Sequence, residues 1–338
     1  MKKYLIDIHH GLGDVIHMFP VLHAIKNNTN QSHVALIVSK QYIKEFVLSQ
    51  DLVEEVFVLN RKKDILSLFN RKSFFYDYGI IAPCIGNVSL SSKLLRIMGC
   101  KIIIHEVSEP AIKEQHRVDR NIRLASQIGI VVKDLYPRIH LDNEAIKYEQ
   151  KIRNRLDPAK KTIGICIGGN PEKYIHDGIT EMVDVKRWPI KSYIELIKML
   201  DNKYNIILLG GIADANELWN NCNREEFNAS LIDLLGKTTV MQSAAALSCC
   251  DLAAGNDTGM IHVAAAIGKK TLAVYCSTNP HKIGAYSPYA SIIDKPLDCK
   301  YCYLSDKTFK CIEKKCLYLT TPIEFYKNIE LLLKEKES

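Results

Sequence analysis

The sequence predicts an α/β protein with two Rossmann-like domains, because short apolar runs alternate with helix-like segments in two successive sets. The first set lies at residues 4–9, 33–38, 53–59, 75–82 and 101–105, and the second at residues 162–167, 205–209, 230–235, 251–254 and 271–275. Several runs are apolar throughout, which is typical of parallel strands buried on both faces. A charged, helix-like stretch at residues 143–156 and the breaker Asp157-Pro158 separate the two sets. We therefore predict an N-terminal domain at residues 1–157 and a C-terminal domain at residues 158–338.

Composition limits the class of protein. The 338 residues, 47% hydrophobic and 25% charged, suit a globular protein of two ordinary domains rather than a disordered or fibrous chain. No apolar run approaches the roughly 18 residues of a membrane span, and the start MKKYLIDIHH is too short in apolar length for a signal peptide. Eleven cysteines without a secretory signal indicate a reducing compartment. We predict a cytoplasmic protein.

The segment GNDTGMIH at residues 255–262 follows an apolar run and precedes a helix predicted at residues 263–267. Such a turn presents free backbone N–H groups and the positive end of a helix dipole, which together suit a diphosphate. Thr258 and Gly259 are the main predicted phosphate contacts. Asp257 could orient a ribose hydroxyl, and His262 lies one helical turn beyond Thr258. The alternative is a turn whose side chains cap the helix, with His262 as a packing residue.

A second motif, HHGLGDVIHMFPVL at residues 9–22, follows the first predicted strand. Gly11 and Gly13 let the backbone turn tightly and approach a ligand. They do not complete a dinucleotide fingerprint, because the third glycine is missing and the Asp14 carboxylate would repel a pyrophosphate. Asp14 is a candidate general base, or else the cap of a helix beginning at residue 15. His17, one turn further, either touches a ligand or is a buried packing residue.

These two motifs, together with KRWP at residues 186–189, resemble those of the lipopolysaccharide heptosyltransferases of glycosyltransferase family 9. The resemblance lies in GDVIHMFPVL and NDTGMIHVAAAIGK and spans nearly the whole chain. It implies a GT-B architecture, in which two Rossmann-like domains face each other across a cleft. It also implies an inverting transfer of heptose from an ADP-heptose-type donor to a lipopolysaccharide core or related glycan acceptor.

The resemblance also implies roles for single residues. Asp14 corresponds to the catalytic aspartate, with Gly11, Gly13 and His17 on the acceptor side. Lys186 corresponds to a lysine of the donor site, whose charge would neutralise the departing diphosphate, so no catalytic metal is expected. An acidic residue after the strand at residues 205–209 would hold the ribose, and Asp214 and Glu217 both qualify. Thr238 lies in a loop that resembles one lining the adenine pocket.

Four cysteines near the C-terminus form a separate motif. Cys299, Cys302, Cys311 and Cys316 lie within 18 residues and open with CxxC. Four thiols can enclose a tetrahedral metal, so we predict a small metal finger at residues 299–316 that holds zinc or iron. Related cysteine clusters occur in part of the family, where a metal finger supports oligomerisation. The spacing does not match a common double-CxxC ribbon, and unliganded thiols are the alternative.

The predicted partners follow from the charge and the resemblance. A net charge of +7 suits an anionic membrane face or a phosphorylated glycolipid, and also nucleic acid. We expect a nucleotide sugar, an anionic glycolipid acceptor at the inner membrane face, possible homo-oligomers, and no nucleic acid. The alternatives are a glycosyltransferase with another nucleotide sugar or a protein acceptor, and a metal-finger protein that binds nucleic acid through the lysines around the cysteine cluster.

Overall fold

The computed structural model describes residues 1–28, 32–59, 75–84, 86–107, 109–169, 172–176, 179–183, 185–228, 230–302, 311 and 313–335. The chain folds into two compact units. The first comprises Met1–Asp142 and His281–Tyr286, and the second comprises Asn143–Pro280 and Ser287–Ser338. Each unit contains one parallel sheet with helices, which confirms the predicted α/β class.

The first unit is built on a parallel sheet in the order β3-β2-β1-β4-β5. Its strands are β1 (Lys2–Asp7), β2 (Ser32–Val38), β3 (Glu55–Val58), β4 (Tyr76–Ile81) and β5 (Cys100–Ile104). Its helices are α1 (Leu12–Ile16), α2 (Phe19–Asn28), α3 (Gln41–Leu48), α4 (Val88–Ile97), α5 (Pro110–Lys113) and α6 (Arg117–Ser126). The central strand β1 ends in four consecutive buried residues, as expected for a strand covered on both faces.

The second unit is built on a larger parallel sheet in the order β10-β9-β6-β11-β12-β13. Its strands are β6 (Thr162–Cys166), β7 (Glu172–His176), β8 (Ile179–Val183), β9 (Asn205–Leu209), β10 (Ile232–Asp233), β11 (Leu252–Asn256), β12 (Lys270–Val274) and β13 (Ala290–Ile293). Its helices are α7 (Asn143–Arg153), α8 (Ile190–Leu200), α9 (Ile212–Asn221), α10 (Val240–Ser248), α11 (Gly259–Ala266), α12 (Pro280–Ile283, at the junction of the units) and α13 (Pro322–Lys334). Strands β7 and β8 pair only with each other, as an antiparallel hairpin. Short 3₁₀ helices occur at Arg224–Glu226 and Lys315–Leu317.

The units divide at residue 142, whereas the sequence prediction divides the domains after residue 157. The difference is helix α7, which packs against α10 of the second unit. A short return segment, His281–Tyr286, joins the first unit. There Lys282 Nζ lies 2.7 Å from Glu114 Oε1, and the Tyr286 hydroxyl donates to Asp119 Oδ1 at 2.7 Å.

The core of the second unit connects the KRWP motif to the last helix. Trp188 is fully buried, and its ring meets those of Tyr193 and Phe325 edge to face at centroid distances of 5.0 and 5.1 Å. Its indole N–H donates to the carbonyl of Thr320 at 3.0 Å, immediately before α13. The side chain of Thr321 caps α13, and proline occupies the first helical position. The packing of Trp188 fixes the backbone next to Lys186 and Arg187, the two basic residues of KRWP.

The sheet of the second unit also depends on a close strand contact. A Cβ atom at Gly255 in β11 would lie 2.4 Å from the backbone carbonyl oxygen of Cys166 in β6. No side chain fits at that distance, so glycine is required there. Among the described residues, no helix combines the length and apolar character needed to cross a membrane.

Candidate active site

In the first unit, Asp14 lies just beyond the carboxyl end of β1. Helix α1 begins at Leu12, and its N-cap residue Gly11 makes no side-chain cap hydrogen bond. Asp14 is therefore the third residue of the helix, and the alternative in which it caps a helix beginning at residue 15 is wrong. Its carboxylate is 18% exposed, which leaves it accessible to a ligand.

Two basic side chains hold the Asp14 carboxylate. His10 Nδ1 lies 2.7 Å from Oδ2, and Arg117 Nη1 lies 3.4 Å from Oδ1. Burial alone would raise the pKa of Asp14, but the hydrogen bond from His10 and the charge of Arg117 outweigh it and hold the pKa well below its usual range. The carboxylate is consequently ionised at neutral pH, and its surroundings make its protonation unfavourable.

The other site residues predicted in this segment are Gly11, Gly13 and His17. Gly11 has a φ of −72°, which any residue adopts, and an added Cβ would meet its nearest neighbour, Asp14 Oδ2, at 3.7 Å. The backbone conformation at residue 11 is therefore open to any residue, and Gly13 lies within α1. The predicted approach of a ligand to Gly11 and Gly13 stays a prediction. His17 is 2% exposed, and its Nε2 lies 3.1 Å from the carbonyl oxygen of Gly284. This placement agrees with the buried-packing interpretation of His17.

In the second unit, the NDTG turn joins β11 directly to α11. The helix begins at Gly259, four residues earlier than predicted, with Thr258 as the N-cap. The Thr258 hydroxyl is buried, makes no cap hydrogen bond, and has no hydrogen-bond partner among the described residues. Free N–H groups at the start of α11 and this hydroxyl form a set of donors that suits an anionic group.

Asp257 and His262 lie beside this set. His262 Nε2 is 3.6 Å from Asp257 Oδ1, and both side chains are less than a tenth exposed. Burial would raise the pKa of Asp257, but the hydrogen bond from His262 and the nearby charge of Lys186 lower it overall. The charge of Lys186 therefore acts on the NDTG turn, and its role in the donor site stays a prediction.

A buried amide that the sequence interpretation did not single out fixes the turn. Asn256 is fully buried, accepts a hydrogen bond from the Tyr193 hydroxyl at 2.6 Å, and donates to the carbonyl of Gly168 at 2.6 Å. Gly168 follows β6, and a Cβ atom there would lie 2.6 Å from Thr258 Cγ2. The loop after β6 thus packs directly on the turn. The available sequence signal was the Gly168-Gly169 pair after a predicted strand.

Arg187, the second basic residue of KRWP, is buried among the acidic candidates. Its guanidinium forms a short ion pair with Glu217, lies 3.5 Å from Asp214 Oδ1, and donates to the carbonyl of Gly169 at 3.1 Å. Arg187 is 7% exposed. It therefore connects the loop after β6 to helix α9.

The two acidic candidates for the ribose differ in their surroundings. Asp214 is 5% exposed, and its Oδ2 accepts a hydrogen bond from the Gly211 N–H at 2.7 Å, at the start of α9. The side chain of Glu217 is 43% exposed. Of the two carboxylates, that of Glu217 is the accessible one.

Thr238, predicted to lie in the adenine pocket, is two residues after Gly236, whose φ is +68°. The Thr238 hydroxyl lies 2.8 Å from that of Ser243.

The four C-terminal cysteines share a neighbourhood. Burial and then the thiols of Cys302, Cys311 and Cys299 raise the pKa of Cys316 to about 11, so each of these three thiols lies within electrostatic range of Cys316. None forms a disulfide. Within the part of the chain that the structure describes, no group of three or more His, Cys, Asp or Glu side chains is arranged to hold a metal ion. The predicted metal finger is not confirmed.

Solved structures share this fold. The E. coli ADP-heptose lipopolysaccharide heptosyltransferase II superimposes with a TM-score of 0.72 at 22% identity, covering 98% of each chain. The iron-containing dodecameric glycosyltransferase TibC from enterotoxigenic E. coli superimposes with a TM-score of 0.58 at 10% identity, covering 98% of this chain and 76% of its own. Both likenesses concern the fold.

Two parallel-sheet units, with an ionised carboxylate in one and a helix start that suits an anion in the other, are compatible with a glycosyltransferase. Over 98% of its length the chain is 24% identical to lipooligosaccharide heptosyltransferase 2 of Campylobacter jejuni, of which it covers 98%. The model of glycosyltransferase family 9 (heptosyltransferase) matches residues 98–313. This match covers well over half of the chain, and the chain belongs to that family. The resemblance seen in the sequence is confirmed.

Proposed function

We propose that this glycosyltransferase moves heptose from ADP-heptose to an anionic glycolipid acceptor of the lipopolysaccharide core, with inversion at C1 of the sugar. Membership of the heptosyltransferase family carries the proposal. The name of the Campylobacter jejuni relative supports the acceptor, and the name of the E. coli heptosyltransferase II structure supports the donor. The two units would be the two halves of a GT-B enzyme. Its predicted place in the cytoplasm at the inner membrane face, and its possible homo-oligomers, stay predictions.

The second unit would bind the donor. The N–H groups at the start of α11 suit the diphosphate, as does the Thr258 hydroxyl, for which the described residues supply no partner, and Gly259 lets the diphosphate approach the backbone. The charge of Lys186, which already acts on the nearby Asp257, would offset the negative charge that develops as ADP leaves. This arrangement activates the leaving group with the protein's own groups, so we expect no catalytic metal.

The first unit would bind the acceptor and supply the base. An acceptor hydroxyl hydrogen-bonded to Asp14 would lose its proton to the carboxylate as the hydroxyl oxygen attacks C1. The C1–O bond to the diphosphate breaks on the opposite face, and ADP departs with the bonding electron pair. An ionised and accessible carboxylate, held by His10 and Arg117, suits this role. No covalent enzyme intermediate is required.

We propose that Glu217, rather than Asp214, accepts a hydrogen bond from the ribose. Asp214 is buried and already accepts from the Gly211 N–H, whereas the Glu217 carboxylate is more than two-fifths exposed. Arg187 holds the Glu217 carboxylate from its buried side. An exposed oxygen on a fixed carboxylate is available to a ligand hydroxyl.

Calorimetric titration with ADP, UDP, GDP and CDP tests the donor class. We expect selective binding of ADP. We expect Glu217→Gln to weaken ADP binding by about tenfold or more, because a hydrogen bond to a charged group contributes roughly 1.5–3 kcal/mol.

Asp214→Asn is the matched comparison. It should lower the free energy of unfolding by about 1 kcal/mol through the weakened start of α9, with a smaller effect on ADP affinity than Glu217→Gln. Equal losses of affinity in the two variants would contradict the assignment of Glu217. If another nucleotide bound selectively, the donor would be a different nucleotide sugar, and the proposed mechanism of transfer would be unchanged. Failure to bind any nucleotide would contradict transfer from a nucleotide sugar.

We also propose that Cys299, Cys302, Cys311 and Cys316 hold a structural zinc or iron ion. The proximity of the other three thiols to Cys316 supports this, as does the name of the iron-containing TibC, whose fold is similar. The described positions of the thiols do not yet form a coordination set. Binding of the metal would therefore have to draw the sulfur atoms together as thiolates.

Elemental analysis of the purified chain tests this metal site. We expect roughly one equivalent of zinc or iron per chain, as in closed four-thiolate sites. The double substitution of Cys299 and Cys302 by Ser should remove the metal, whereas Cys222→Ser, at a buried thiol outside the cluster, should retain it. A folded wild-type protein without metal would refute the site.

A further inference from the structure

The imidazole of His10 pairs with the candidate base. Its Nδ1 lies 2.7 Å from Oδ2 of Asp14, four residues further along the chain. The backbone of His10 is held on both sides, because its N–H donates to the carbonyl of Ile8 at 2.7 Å and its carbonyl accepts from the Ser39 hydroxyl at 2.9 Å. This fixed backbone places one ring nitrogen of His10 against the carboxylate.

The pair leaves part of each side chain accessible. The side chain of His10 is 44% exposed, and that of Asp14 is 18% exposed. The hydrogen bond from His10 occupies Oδ2, whereas within the described part of the chain no hydrogen bond is made to Oδ1. Oδ1 is therefore the oxygen left for an acceptor hydroxyl. Because a carboxylate only accepts hydrogen bonds, Nδ1 is the protonated nitrogen of the neutral imidazole.

We propose that His10 is a positioning residue for the base: its neutral imidazole orients the Asp14 carboxylate for proton transfer, and its protonated form opposes the transfer. The proposal rests on the proposed function, in which Asp14 removes the proton of the acceptor hydroxyl. That proton moves to Asp14 Oδ1, while His10 keeps its own proton on Nδ1 and donates it to Oδ2. Both states of His10 make this hydrogen bond, and they differ in charge.

The charge of His10 decides how readily Asp14 accepts a proton. The carboxylate becomes neutral in the reaction, so a cationic imidazole at 2.7 Å loses its ionic partner as the proton arrives. A neutral imidazole loses only part of a hydrogen bond. Burial raises the pKa of Asp14, but the hydrogen bond and charge of His10 lower it, together with the charges of Arg117 and His17. Deprotonation of His10 removes one of these charges and makes Asp14 a stronger base.

Other titratable groups face Asp14 from the neighbouring elements. Arg117 on α6 keeps its charge throughout the working pH range. The thiol of Cys84, after β4, stays neutral because burial and then the charge of Asp14 raise its pKa. His17, after α1, is only 2% exposed. His10 combines direct contact with Asp14, exposure to solvent and a side chain of the type that changes charge between pH 5 and 8.

The pH dependence of kcat/KM, measured as ADP release between about pH 5 and pH 8, tests the proposal. His10→Asn places an amide N–H near the position of Nδ1 and cannot gain a charge. At pH 8 we expect it to stay within about threefold of the wild type. Towards pH 5 the wild type should lose about tenfold or more relative to His10→Asn, because its imidazole becomes charged. Titration of the substrates cancels in this ratio.

His9→Asn is the matched control. His9 Nδ1 lies 2.5 Å from Oδ1 of Asp7, which raises the pKa of His9, and its side chain is 40% exposed. Asp7 is fully buried, so His9→Asn should keep the wild-type pH profile. His10→Ala removes the hydrogen bond as well as the charge, and at pH 8 it should be about tenfold less active than His10→Asn.

Thermal unfolding of each variant verifies the fold. The proposal is overturned if the ratio of wild-type to His10→Asn kcat/KM is independent of pH, or if His9→Asn changes the profile as His10→Asn does. It is also overturned if His10→Ala and His10→Asn are equally active at pH 8.

Carbon-13 NMR separates this proposal from the proposed function, because it needs no sugar transfer. In protein labelled at the aspartate carboxyl carbons, the Asp14 resonance is assigned by its absence from Asp14→Asn. It should show an inflection between about pH 5 and pH 8 in the wild type and none in His10→Asn. If that holds but no sugar is transferred, the coupling of His10 to Asp14 stands and the proposed function fails. If transfer occurs and the inflection persists in His10→Asn, the transfer function stands and the role of His10 is refuted.

Discussion

Asp14→Asn is expected to lower kcat for sugar transfer by about 10²- to 10⁴-fold, the contribution of a positioned general base. The amide has nearly the same shape, and its oxygen can still accept the hydrogen bond from His10 Nδ1, which lies 2.7 Å from Oδ2 in the wild type. It cannot take a proton from the acceptor hydroxyl. The affinity for ADP should stay within about twofold, because the donor motifs lie in the second unit.

The measurement combines the initial rate of ADP release with calorimetric titration of ADP. Asp134→Asn is the control, since Asp134 is an exposed aspartate of the same unit that forms a surface ion pair with Arg138. It should retain wild-type turnover. A turnover of Asp14→Asn near that of the wild type would exclude Asp14 as the base. Loss of ADP binding in that variant would show that the substitution damages more than proton transfer.

The strands could be predicted from the sequence because a parallel strand buried on both faces is a continuous run of apolar residues. Each of the ten predicted apolar runs corresponds to an observed strand, and the strand at Asn205–Leu209 has the predicted bounds. The hairpin strands β7 and β8, with the sequences EKYIH and ITEMV, lack a continuous apolar run. Strand β13 has only four residues. These short or mixed segments acquire their structure from pairing, which local composition does not reveal.

Contacts within the candidate site also differ in whether the sequence could predict them. Residues inside one motif, such as Asp257 and His262, could be grouped because they lie close together in the sequence. Contacts between distant parts of the chain could not be predicted. Arg117 reaches Asp14 across more than a hundred residues, and Arg187 meets Glu217 through the packing of α8 and α9. Such contacts depend on how elements pack, and the sequence of either partner alone carries no sign of the other.

Asn256→Ala is expected to destabilise the second unit and to impair donor binding together. The substitution removes the acceptor of the Tyr193 hydroxyl and the donor to the carbonyl of Gly168, both at 2.6 Å, inside a fully buried site. The Gly168 carbonyl would lose this partner, and the Tyr193 hydroxyl would be left with its longer hydrogen bond, 3.4 Å, to the carbonyl oxygen of Cys166. Weakened pairing of a buried polar group costs about 1–3 kcal/mol, so for the two groups the free energy of unfolding should fall by roughly 2–6 kcal/mol. The loop after β6 would also lose its hydrogen-bonded link to the NDTG turn, and ADP affinity should fall by about tenfold or more.

Chemical denaturation and ADP titration of three variants resolve these effects. Tyr193→Phe removes one of the two hydrogen bonds but keeps the ring, so it should cost only about 1 kcal/mol and weaken ADP less. Asn154→Ala removes an exposed amide of the same unit, whose oxygen accepts a hydrogen bond from Gln150 at the surface, and should change neither quantity. If Asn256→Ala unfolded at the wild-type denaturant concentration, the buried amide would not hold the turn. If it were unstable yet bound ADP as the wild type does, the turn would not contribute to the donor site.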